Sequence, residues 1–230
     1  MTSETTFRKL YLELWPRLES LLRAHPEMSP PLLLNPPDDY QGQRIHLFVV
    51  GQETATWYDD LLRGKEGNAA IDTLMHIYKN DFRLGQIHPT PFWQAVRDLE
   101  RALGIEKGAI LWSNLNKADQ NGGRPSPALE VALLESFPAL RREIAVAQPD
   151  AVVFFTGPRY DDLLTSIFSG IRFAASGFPE RVFAKVIHPA LPDRSFRTYH
   201  PKYLRIRKMW PAVLSQLTRV CGSVPTSGAA

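Results

Sequence analysis

Glu53, Asn114 and His200 combine side chains suited to acid–base and hydrogen-bond chemistry with positions just past short apolar runs. Glu53 stands three residues beyond the run 45–50, within Gly51-Gln52-Glu53-Thr54-Ala55-Thr56-Trp57-Tyr58. Asn114 closes Leu111-Trp112-Ser113-Asn114, and His200-Pro201 comes directly after Arg197-Thr198-Tyr199. A carboxylate can stabilise a developing cation or take a proton from water. An imidazole can donate to a developing oxyanion, and a carboxamide offers a donor and an acceptor on one planar edge.

Residues so placed need a scaffold that ends its strands side by side. Residues 45–50, 109–113 and 151–156 are continuous apolar runs, the pattern of strands buried on both faces of a parallel sheet. Further strands are expected at 181–187 and 195–199, and residues 171–174 with 182–187 can form a hairpin beside the main sheet. Helical periodicity marks 5–24, 92–103 (opened by Pro91), 128–148 (divided by Pro138) and 202–220 (bent or restarted at Pro211). Strands alternating with helices predict a three-layer α/β/α domain with a short, mainly parallel central sheet of about four strands. In such sheets ligands sit at the carboxyl ends of the strands. That rule selects residues 51–58, 114–119, 157–160 and 200–204, of which the first, second and fourth are rich in reactive groups.

The chain has 230 residues and is 44% hydrophobic, enough for a core, so a single domain over 1–221 with a flexible tail at 222–230 is expected. No apolar run is long enough to span a bilayer, and Glu4 is out of place in a basic-then-greasy signal peptide; a cytoplasmic protein with no membrane partner is expected. One cysteine, Cys221, excludes an internal disulfide, a cysteine-based zinc site and an iron–sulfur cluster. Residues 194–230 carry seven Lys/Arg and no Asp or Glu, while the remaining 193 residues hold 20 basic against 24 acidic side chains. An acidic-leaning body with a cationic closing segment suggests a face for a polyanion, against the plainer option of a solvated basic helix.

In order and spacing these stretches resemble the uracil-DNA glycosylase superfamily. The carriers are Gly51-Gln52-Glu53, Pro91-Phe92-Trp93, Trp112-Ser113-Asn114 and His200-Pro201-Lys202-Tyr203-Leu204, spread over roughly residues 45–210. The resemblance implies a monomeric, cofactor-free and metal-free enzyme that acts on double-stranded DNA with an extruded base. Glu53 would face the sugar cation, His200 the leaving base, and Asn114 the pyrimidine edge. Phe92 would stack on the base, with Trp57 or Tyr58 as alternatives, and Gln52 and Ala55 would complete the pocket. Tyr203 or Leu204 would fill the vacated stack while Lys202, Arg205 and Arg207 hold phosphates. The uracil-specific branch has Asp-Pro-Tyr where this chain has Glu53-Thr54-Ala55. Loss of that tyrosine wall opens the side of the pyrimidine 5-position. A 5-modified cytosine is therefore expected, as in an anti-phage branch that removes glucosylated hydroxymethylcytosine, with uracil as the alternative.

Other readings compete. Glu53 could cap a helix, His200 could make structural loop bonds, Asn114 could serve a turn, and Phe92 could be core. His188-Pro189 duplicates the His-Pro pair. A non-catalytic DNA-binding module on the same fold, or a metal-dependent nuclease using Asp59, Asp60 and Asp119, would retain a nucleic-acid partner without the glycosylase chemistry.

Overall fold

The computed structural model of the chain describes residues 3–54, 62, 64–82 and 89–222. The expected pocket residues Ala55, Trp57 and Tyr58 lie outside the described residues, as do Asp59, Asp60 and, from the expected tail, residues 223–230.

Parallel strands covered by helices must bury both faces, and the apolar runs meet that requirement. Leu47–Gly51 (β1), Leu111–Asn114 (β2) and Ala151–Phe154 (β3) are buried at every position. Each Val, Leu or Phe so buried contributes about 1.5–3 kcal/mol relative to exposure. Arg172–Ala175 (β4), Phe183–Ile187 (β5) and Arg194–Thr198 (β6) complete one sheet of order β2-β1-β3-β6-β5-β4. Strands β2, β1, β3 and β6 run parallel, whereas β5 pairs antiparallel with both β6 and β4. The sheet thus has six strands rather than about four, because the β4–β5 hairpin extends it at one edge. β4 has no fully buried residue, so it lacks the apolar signature of the other strands.

The helices are Ser3–Ala24 (α1), Gly67–Ile77 (α2), Pro91–Leu103 (α3), Pro127–Ser136 (α4), Ala139–Ala147 (α5), Asp161–Ile167 (α6), Pro201–Ile206 (α7) and Trp210–Gly222 (α8). Alternation along the strands assigns them to layers. Trp112 of β2 meets Trp93 of α3 edge-on, while its neighbour Ser113 donates to Glu143 of α5. Phe154 of β3 meets Phe168 beyond α6, while the adjacent Phe155 contacts Phe92 of α3 and Trp210 of α8. Helices α3, α7 and α8 pack together on one face, and α1 packs with α2, α4 and α5 on the other. The helices at 128–148 divide at Pro138 as expected. In the closing segment the break falls before Trp210, and Pro211 occupies the first turn of α8, where its missing N–H costs nothing. Helix α2 is an addition to the elements expected from sequence pattern.

Two polar devices hold β2, the edge strand opposite the hairpin. Tyr78 Oη accepts from the Trp112 N–H at 2.9 Å and donates to the Trp112 carbonyl at 3.0 Å, covering an exposed edge. Behind β2, the fully buried Glu143 accepts from Tyr11 Oη and Ser113 Oγ, each at 3.0 Å, and from Lys117 Nζ. Burial pushes the Lys117 ammonium down and Glu143 supports it, so each charge is tolerated because of the other. Among the described residues no helix is long and apolar enough to cross a membrane.

Candidate active site

The parallel ladder sets the site. Gly51 and Asn114 are register partners across β1 and β2, so their outward groups lie next to each other. A Cβ on Gly51 would stand 2.4 Å from Asn114 Oδ1 and 3.4 Å from Phe92 Cε2. Only glycine leaves space for a carboxamide and an aromatic ring above this backbone. Among the described residues the Asn114 side chain has no hydrogen-bond partner, although the residue is only 8% exposed. A carboxamide that is nearly buried and uncommitted can serve a ligand.

Phe92 is placed by the start of α3. Thr90 caps that helix, its Oγ1 accepting from the Trp93 N–H at 3.4 Å, and Pro91 occupies the first turn. Gly104, with φ of 68°, terminates the helix in the left-handed region. Trp93 goes into the core, leaving Phe92 half-buried over the strand ends. Its ring stacks on the His200 imidazole with centroids 6.3 Å apart and planes 21° apart, and meets Phe155 edge-on at 6.1 Å.

His200 caps α7. Its Nδ1 accepts from the Lys202 backbone N–H at 3.2 Å, which requires the neutral ring to carry its hydrogen on Nε2. Burial, assisted by the Lys202 charge, pushes the imidazole down to about 4. Near neutral pH His200 is therefore an uncharged ring with a defined N–H donor. The structural role and the availability of the donor coexist. His188 lies elsewhere: it comes after β5, whose antiparallel course ends it by the amino end of β6, and its ring contacts Ser169 O and the Ala190 N–H.

Glu53 lies two residues beyond Gly51, on a loop held by the continuing ladder. The Asn116 N–H donates to the Gln52 carbonyl at 2.9 Å, and Gln52 Nε2 donates to Thr156 O at 2.9 Å. Gln52, expected in the pocket, thus spends its amide donor bracing the loop against the chain after β3. Thr54 donates to the fully buried Asp119 at 2.7 Å, which gives Asp119 a structural role. Burial raises the Glu53 carboxyl above the ordinary carboxylate range. The Tyr160 hydroxyl, donating to Oε2 at 2.5 Å, and the Arg124 charge oppose that rise; Asp119 and Glu130 add to it. Neither Tyr160 nor Arg124 stands out in the sequence, where the segment 157–160 looks poor in reactive groups beside the other three strand ends. The available signal is a tyrosine one turn beyond Gly157-Pro158, after a buried strand.

The closing segment divides in two. Arg197 is 1% exposed and donates to the carbonyls of Glu180 and Arg181 and to Asp161. Arg194 and Arg219 also bond within the fold. Arg205 pairs with Asp98 at 2.7 Å and lies over the Trp210 ring, so it is committed to the α3–α8 side rather than free for a phosphate. Leu204 is fully buried and belongs to the core, not to a surface that enters DNA. On a helix capped at residue 200, position 204 returns to the face of the cap. Lys202, Arg207 and Lys208 are exposed, with Tyr203 at 39% and Ile206 at 68%. Ile206 has no place among the residues expected to meet DNA, yet its strong exposure makes it the large apolar side chain that α7 presents outward.

Among the described residues no group of three or more His, Cys, Asp or Glu is arranged to hold a metal. The sequence matches no protein-family model and no curated protein.

Because the folded state binds a proton at Glu53 more tightly than the unfolded chain does, its stabilising contribution is complete at low pH and is lost as pH rises through the raised value. Near neutrality the ionised carboxylate burdens the fold. Glu53→Gln should therefore melt higher than the wild type by about 2–4 °C at about pH 7.5, with the gain shrinking toward pH 4. Calorimetry at both pH values checks this; an unchanged or lower neutral melting temperature contradicts it.

Proposed function

We propose that the protein is a monofunctional DNA glycosylase of the uracil-DNA glycosylase type, hydrolysing the N-glycosidic bond of a flipped-out pyrimidine to leave an abasic site. The observation that carries this reading is the convergence beside Gly51 of an uncommitted carboxamide, an aromatic face and an N–H donor. These are a pyrimidine's three requirements: an edge reader, a stacking wall and a donor for the oxygen that gains charge as the base departs.

In the proposed reaction the glycosidic electrons leave with the base, and a sugar cation develops. His200 Nε2–H stabilises the departing base as a neutral donor. Glu53 stabilises the cation, aligns the attacking water and accepts its proton. The preference for a 5-modified cytosine rests on Ala55, which stands where the uracil-specific branch has its wall-forming tyrosine, and restriction of modified phage genomes is the setting that such a substrate implies. Uracil is the alternative base, because either end of the Asn114 carboxamide can be turned to the substrate.

Duplexes bearing uracil, hydroxymethylcytosine or glucosylated hydroxymethylcytosine, incubated in EDTA and then treated with hot alkali, test the reaction and the base together. Strand breakage only after alkali is expected, fastest for the modified cytosines. Glu53→Gln and His200→Ala should each slow single-turnover release by on the order of 10² or more with DNA affinity retained. Breakage without alkali, or its abolition by EDTA, contradicts the reading; wild-type turnover by both variants moves the site elsewhere.

The DNA face is proposed to be the exposed side of α7. Lys202→Ala and Arg207→Ala should each flatten the dependence of log affinity on log salt by about one unit, as loss of one phosphate contact does. Arg205→Ala should leave that slope in place, since its charge is held by Asp98. Fluorescence anisotropy across a salt series reads all three; equal slopes throughout would return α7 to a solvated helix.

A further inference from the structure

Glu53 belongs to a closed circuit of side chains and backbone that has no counterpart in the motifs of the sequence. Tyr160 Oη donates to Glu53 Oε2 at 2.5 Å. The Arg124 guanidinium lies over the Tyr160 ring at 4.4 Å and donates to the Arg159 carbonyl at 2.6 Å. Its fork is held by both oxygens of Glu130, at 2.8 and 2.7 Å, and by Asp162 at 3.1 Å. Glu130 Oε1 also accepts from Asn116 Nδ2 at 2.7 Å, and the Asn116 N–H donates to the carbonyl of Gln52, the residue bonded to Glu53. The circuit therefore leaves Glu53 by its side chain and returns by its backbone.

We infer that Tyr160, held flat by Arg124, is the positioning residue for Glu53, pinning Oε2 so that Oε1 is the oxygen that meets water and sugar. This inference rests on Glu53 being the reactive carboxylate. A planar guanidinium stacked on the phenol and clamped by a bidentate carboxylate leaves the hydroxyl little freedom of direction. Burial and the Glu53 carboxylate both push the phenol's ionisation up, so Tyr160 remains a donor across the working pH range. Among the described residues the charged and titratable groups facing Glu53 are Tyr160, Arg124, Asp119 and Glu130. The first two favour its ionised form, and removal of either leaves the effect of burial less opposed.

The test is direct titration of Glu53 by carboxyl-carbon NMR, its resonance identified by its loss in Glu53→Gln, alongside single-turnover pH profiles on the duplex panel. In Tyr160→Phe the Glu53 midpoint should move upward by about one pH unit. The acid limb of the rate profile should follow it, with the rate down on the order of tenfold on the acid side of the wild-type midpoint, recovered on the alkaline side of the variant's midpoint, and DNA affinity unchanged. Arg124→Gln keeps the phenol and removes the charge, so it should give the same direction and stands in if Tyr160→Phe loses its native amide spectrum. A Glu53 midpoint unmoved in natively folded variants overturns the positioning role, whatever the enzyme's activity. A moved midpoint with no base release by the wild type from any duplex instead overturns the glycosylase reading, and with it the catalytic meaning of the position.

Discussion

The parallel backbone ladder is the constraint on which the site depends, because it continues past the strand ends. The Leu115 N–H donates to Gly51 O, Phe155 N–H to Val50 O, and Gly157 N–H to Thr198 O, so four chains leave the sheet already fastened to one another. Side-by-side exit is what brings residues 51, 114 and 200 to one place around Phe92 despite their separation in sequence. Gly157, with φ of 73°, lets β3 turn away beneath Tyr199, whose ring would lie 3.1 Å from any added Cβ. A β-branched residue at 51 or 157 would disturb the site before it disturbed the core.

Burial at this edge acts on the two ionisable groups in opposite senses of charge and the same sense of chemistry. The carboxyl of Glu53 is driven up and the imidazole of His200 down, so both are discouraged from carrying charge. In water-poor surroundings a fixed N–H dipole or a phenol donor has more effect than at an open surface. The fold bears the cost at Glu53, where an apolar or amide side chain would be easier to bury. The fully buried Glu143, by contrast, has a complete set of partners, and that group braces β2 rather than facing a ligand. The contrast separates the two carboxylates. Among the described residues Glu143 takes three donors, from α1, from β2 and from the segment after β2, whereas Glu53 is fixed at Oε2 by one.

Much of the scaffold is legible in the sequence because central parallel strands leave an unambiguous apolar record, seen in the runs around Leu47–Gly51 and Ala151–Phe154. Gly51, Asn114 and His200 are readable because each stands at or just past the end of a strand, and Phe92 because Pro91 marks where a helix begins; the structure brings all four together. The hairpin of 171–174 with 182–187 is legible as well, although β4 carries little apolar pattern; that it joins the main sheet as its fifth and sixth strands is the part the pattern does not reveal. Tyr160 and Arg124 escape such reading because their meaning is tertiary: Tyr160 meets Glu53 across 107 residues of chain. Charge counting misjudges the closing segment for the same reason. Arg197 reads as surface charge in sequence but lies buried on β6, and Leu204, expected at the DNA, is buried while Ile206, which carries no such expectation, is exposed, once His200 fixes where α7 begins.

The claim that these strand ends form a base-excision slot is tested most directly by the structure of Glu53→Gln bound to a duplex carrying glucosylated hydroxymethylcytosine. The account predicts an extruded base with its ring against Phe92, its edge on Asn114 and its O2 within hydrogen-bond distance of His200 Nε2, with the exposed side of α7 against the backbone. A bound duplex whose modified base remains stacked, or whose extruded base occupies another part of the protein, would contradict it.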